Sequence, residues 1–101
     1  MIYEKLDKLF THYLYKENSK DEISAFRNQF EVIFSFFRDE IEDEVGTTNY
    51  ELLDDIYMAF DSYEPDENIR ACDKYCIGEA ELMDKIRKIY KKISILQKKG
   101  G

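Results

Sequence analysis

The chain has no tryptophan, one proline, four glycines, two cysteines and one histidine in 101 residues. Few glycines and prolines leave too few tight turns for a β-sandwich or barrel. Two cysteines do not make the disulfide framework of a small secreted scaffold. Nor can Cys72 and Cys76 alone fill a tetrahedral zinc site, which needs four strong ligands. They are expected as half-buried structural thiols. The single His12 gives a histidine mechanism no second imidazole and is expected at the surface or boundary of the first helix. There is no Glu-x-x-His pair for a di-metal bundle site, no EF-hand loop, no P-loop and no glycine-rich dinucleotide turn. The expectation is therefore no catalytic residue, no metal and no cofactor: a protein that is not an enzyme.

No apolar run approaches the ~18 residues of a membrane span. The opening MIYEKLDKLF mixes charges with apolar residues, unlike a secretory signal. A cytoplasmic protein with no membrane partner is expected.

One more absence is local. Asp39 to Glu67 holds twelve acids and no Lys or Arg. Before it, residues 1–38 balance six acids with six bases, and after Glu81 one acid faces seven bases. The net charge of −7 is thus concentrated in one stretch. A solvated helix face usually mixes signs, because like charges at close spacing repel. Such a field repels nucleic acid, so no direct nucleic-acid binding is expected. It attracts proteins that grip phosphate, because Arg and Lys bind carboxylate with the same charge-assisted hydrogen bonds.

What the chain does have is helical periodicity. Helix one is expected over residues 2–17, with Ile2, Leu6, Leu9, Phe10, Tyr13 and Leu14 on one face. Ser19 followed by Glu22 is a capping box that starts helix two. That helix reads on to about Val45 with the stripe Ile23, Phe26, Phe30, Ile33, Phe34, Phe37 and Ile41. At such a length it either overshoots the core or bends or breaks near Phe36–Arg38. Its end, DEIEDE, opposes the helix dipole. Gly46-Thr47-Thr48-Asn49 reads as a turn, with Thr48 or Asn49 capping helix three. Leu52, Leu53, Ile56, Tyr57 and Phe60 form the next face, and Pro65 stops it by residue 63 or 64. A single helical turn is expected around Ile69–Cys72. A last helix runs from Gly78 to about Leu96, and a frayed tail is expected at about 97–101. The expectation is one all-α domain over 1–101, a mainly antiparallel four-helix bundle. Most aromatic rings fall on these stripes. Tyr63 and Tyr75 lie outside them and read as the freer ones.

The run DDIYMAFDSYEPD, Asp54 to Asp66, resembles the signature of the colicin D immunity family. An acid pair, Asp54-Asp55, precedes Ile56-Tyr57-Met58-Ala59. Then come Asp61, Tyr63 and Glu64-Pro65-Asp66. LDKLF, residues 6–10, is similar to the family's opening helix, and the likeness extends weakly from Leu6 to Ile93. Helix two here is longer and richer in Phe, and the turn before helix three differs. The resemblance implies a helical bundle that binds a cognate tRNA-cleaving toxin. It would cover the toxin's active-site cleft with charge that imitates the tRNA backbone. Relatives also protect against the tRNase tips of contact-dependent inhibition systems. The family's toxin-contacting acids fall at Asp61, Glu64 and Asp66. Around them, Asp54, Asp55 and Glu67, with Asp39, Glu40, Glu42, Asp43 and Glu44, would extend the negative surface. Tyr63 would add an aromatic anchor. Two other classes fit the same composition: an acidic mimic that regulates a DNA-binding protein, and a helical interaction module without mimicry.

Overall fold

The computed structural model describes residues 2–72 and 75–93 in full, and 94–100 as backbone of the last helix. The described residues form five helices: α1 (Ile2–Leu14), α2 (Lys20–Phe36), α3 (Arg38–Ser62), α4 (Glu67–Cys72) and α5 (Glu79–Gly100). The described residues hold no strand, only an isolated bridge between Tyr63 and Ile77. No helix among them is long and apolar enough to cross a membrane. The tail expected at 97–101 lies, apart from the α5 backbone, outside the described residues.

The apolar stripes meet in one core, with Phe10, Phe26, Phe30, Phe34 and Phe60 fully buried. Phe26 is its hub. It stacks on Tyr13 at 4.7 Å and meets Phe10 and Phe60 edge-on at 5.9 and 5.1 Å. Both arrangements suit the ring quadrupole. Leu82, Ile86, Tyr90 and Ile93 close the core from α5, which packs mainly on α3. Tyr90 donates to the Asp7 carboxylate, tying α5 to α1. Beside that pair, burial pushes the Tyr3 hydroxyl above its usual range, and the Tyr90 and Asp7 charges add to the shift.

The capping box at α2 forms as the sequence implies: Glu22 N donates to Ser19 Oγ, and Ser19 N donates to the Glu22 carboxylate. Lys16 donates to the same carboxylate at 2.7 Å. That bond, with Ser19's, holds the Glu22 carboxyl below its ordinary pKa. A folded pKa below the unfolded one stabilises above the unfolded value. The contribution is lost as pH falls through the folded value. Ser19→Ala is expected to cost about 1 kcal/mol in urea unfolding. In a carboxyl NMR titration it should move the Glu22 midpoint upward.

Helix two does not reach Val45. It breaks at Phe37 (φ −119°, ψ 30°), which ends α2 and begins α3 without a side-chain cap. The break relieves the expected conflict with the dipole for Asp39 and Glu40, while Glu42 to Glu44 still close the helical segment that ends at the Gly46 kink. Asp39 and Glu40 now stand in the first turn of a new helix, where acids are favoured. The expected turn at 46–49 shrinks to one residue. Gly46 (φ 84°, ψ 163°) kinks α3, and Asn49 does not cap. Its amide is buried and donates back to the Val45 carbonyl at 2.9 Å. Glycine alone occupies that backbone region easily, and no atom lies near a Cβ added there. Gly46→Ala should therefore cost about 1–3 kcal/mol through backbone strain alone. A urea midpoint shift with an unchanged m-value would show it.

Candidate functional site

The twelve acids between Asp39 and Glu67 do not form one cluster in space. Eight of them form two groups joined by a helix. Asp39, Glu40, Glu42 and Asp43 lie on exposed turns before the Gly46 kink. Asp61, Glu64, Asp66 and Glu67 gather where α3 ends and α4 begins. Between the groups, Thr47–Ser62 spans on the order of 24 Å at 1.5 Å per residue. Asp54 and Asp55 sit midway, half-buried and exposed respectively. Neither has an ion pair among the described residues.

Glu44 does not join this surface. Its carboxylate accepts from Ile2 N at 3.0 Å and Tyr3 N at 3.2 Å, and so caps α1. These N–H groups have no partner inside their own helix, and a carboxylate also suits the positive end of the dipole.

The second group is the better defined. α3 stops at Ser62, and Tyr63 takes extended geometry (φ −75°, ψ 129°), as a residue two before a proline can. A short clasp then joins the chain to the entry of α5. Ile77 N donates to Ser62 O at 2.9 Å, and Glu64 N donates to Ile77 O at 3.0 Å. Lys20 Nζ donates to Pro65 O at 2.8 Å from the start of α2. Asp66 opens α4, its carboxylate accepting from Asn68 N at 2.8 Å. The segment Ser62–Glu67 is thus an ordered loop held from three sides.

Each acid in it has a different setting. Asp61 is 67% exposed, 3.6 Å from Arg27, which donates more closely to Glu31 at 2.8 Å. A surface pair of that kind contributes about 0–1 kcal/mol. Asp61 also stands in the last turn of α3, where the dipole disfavours an anion. Glu64 is half-buried, while Asp66 and Glu67 are exposed. Glu67 lies 3.8 Å from Arg70. Among the described residues of the basic α5, Lys85 pairs with Glu81 and Lys88 with Asp84, both within the helix.

Tyr63 is not an exposed anchor. It is 9% exposed and belongs to the core. Burial raises its pKa, with the charges of Glu79 and Glu64 adding and Arg70 opposing. Leu53, Ile56, Phe60 and Tyr63 continue one helical spacing, and that signal placed it inside. Tyr75 is exposed, as is Met58 on α3 between Asp55 and Asp61. Cys72 is exposed rather than half-buried, Cys76 is half-buried, and neither forms a disulfide. His12 lies at the surface of α1 against the edge of Tyr13. Among the described residues no three His, Cys, Asp or Glu side chains gather to hold a metal ion.

No family model, curated protein or solved structure matches the chain.

Proposed function

We propose that the protein is an immunity protein, a stoichiometric inhibitor that binds a tRNA-cleaving nuclease toxin in the cytoplasm. Its scaffold would be a mainly antiparallel bundle of α1, α2, α3 and α5. Its task is binding rather than catalysis. The observation that carries the reading is the loop at the end of α3. Asp66 and Glu67 are exposed on it and Asp61 in the last turn of α3 just before it, within twelve acids that no Lys or Arg interrupts. Asp61, Glu64 and Asp66 would meet the cationic groups that grip phosphate in the toxin's cleft. Asp39, Glu40, Glu42 and Asp43 lie a helix length away. They would act through the long-range field and speed encounter rather than enter the same cleft. The fixed loop lowers the ordering cost of binding.

Spreading acids along α3 also favours a second reading, an acidic mimic that blocks a DNA-binding protein. The two separate in one experiment. The chain is co-expressed with the product of the neighbouring reading frame. Survival of the cells and recovery of a one-to-one complex support immunity. Capture of a DNA-binding protein instead, with no rescue, supports the DNA mimic.

A further inference from the structure

The first base after the twelve acids, Arg70, stands against the acidic loop rather than in solvent; its side chain is 20% exposed. Its Nη1 donates to the Glu64 carbonyl at 2.6 Å and to the Glu79 carboxylate at 3.1 Å. Its own backbone N–H donates to Asp66 O at 3.0 Å. The guanidinium plane covers Gly78. A Cβ built there would meet Cζ, Nε and Nη1 at 3.2, 3.3 and 3.4 Å, and such even distances describe a face-on approach. One side chain therefore links the two strands of the clasp and the first turn of α4.

We propose that Arg70 is the positioning residue of the acidic loop: laid over Gly78 and held by Glu79, it grips the main chain at Glu64 and presets how Glu64 and Asp66 are offered to a cationic partner. As a source of field alone, Arg70 would be counterproductive. It subtracts a charge from the patch that attracts such a partner. Its two conceivable effects thus have opposite signs. Removing a field source strengthens binding, whereas removing a clamp loosens the loop and speeds dissociation. Both bonds leave the same nitrogen, Nη1, so what lysine lacks is the flat guanidinium that lies over Gly78.

Three variants test this. Arg70→Met removes charge and guanidinium, and Arg70→Lys keeps the charge and removes the planar guanidinium. Gly78→Ala pushes the guanidinium off by a few tenths of an ångström without altering any charge. Its clash is with the far end of a flexible side chain, so the fold should survive. The partner-free measurement is amide exchange at Glu64, whose N–H closes the clasp. We expect exchange about tenfold faster in all three variants, with the amides around Phe26 and Phe30 unchanged. Wild-type exchange at Glu64 would overturn the clamp. The second measurement rests on the immunity reading and uses the product of the neighbouring reading frame as the nuclease to be tested. The dissociation rate should rise about tenfold in each variant, with association unchanged or faster in Arg70→Met. Tighter binding by Arg70→Met with an unchanged dissociation rate would make Arg70 a field source only and overturn the proposal. If wild type does not bind the nuclease, the immunity reading fails and the exchange measurement still decides the role of Arg70.

Discussion

Cells making the toxin with the Asp61→Ala/Glu64→Ala/Asp66→Ala protein are expected to die, although the variant folds. Truncating one member of a buried, hydrogen-bonded charge pair at an interface costs about 2–5 kcal/mol. Even the lower figure is about a thirtyfold loss of affinity, and three such losses remove useful protection. The expected effect on folding is small. Asp61 is exposed, weakly paired with Arg27 and opposed by the α3 dipole, so Asp61→Ala should leave stability unchanged or raise it slightly. Asp66 is the exception within the set, because its carboxylate caps α4. Its replacement should cost about 1 kcal/mol in stability. A matched variant at the far group, Asp39→Ala/Glu40→Ala/Asp43→Ala, should bind at a slower rate with little change in dissociation. Growth assays with an inducible toxin, paired with binding kinetics, separate the two groups. Full protection by the first variant would remove the loop from the interface.

The second large effect concerns the scaffold that carries the loop. Phe26→Ala is expected to destabilise the fold by about 3–5 kcal/mol. The ring is fully buried and contacts Phe10, Tyr13 and Phe60, so its removal opens a cavity between three helices. A domain of this size has a total stability of roughly 5–15 kcal/mol. The loss therefore lowers the thermal midpoint by more than 10 °C, at about 4–8 °C per kcal/mol. Phe36 supplies the control. It lies on the same helix but is 78% exposed, and Phe36→Ala should change stability by no more than about 0.5 kcal/mol. Thermal unfolding followed by circular dichroism tests both. Equal effects would mean that the burial pattern of α2 is wrong.

The local grammar of the chain was readable and the long-range partners were not. Ser19 and Glu22 announce the start of α2, because both halves of a capping box lie within four residues. The stripe from Ile23 to Phe34 follows from spacing alone, and Pro65 marks where α3 must have ended. The break near Phe36–Arg38 was one of two readings of an overlong pattern. Sequence could not choose, since Phe37 has no side-chain cap and the choice rests on tertiary packing. Gly46 was legible as a punctuation mark but not as a one-residue kink. Asn49 was misread because a cap and a buried amide share a residue type. Among the candidate site residues, Asp61 is exposed in the last turn of α3, and Asp66 and Glu67 are exposed on the loop that follows it. Glu44 is decided by a partner outside any local window, a helix start 41 residues away, whereas the burial of Tyr63 was legible locally, because it continues the spacing of Leu53, Ile56 and Phe60. Arg70 carried no signal in the sequence at all, because its importance comes from lying over Gly78.

The central claim is that this acidic loop occupies a site built for tRNA. The most direct measurement is cleavage of tRNA by the product of the neighbouring reading frame, titrated with this protein. Cleavage should fall linearly and end at one equivalent, and excess tRNA should compete with the protein for the nuclease. Cleavage that persists in tenfold excess of protein, or inhibition that the triple alanine variant reproduces in full, would contradict the account.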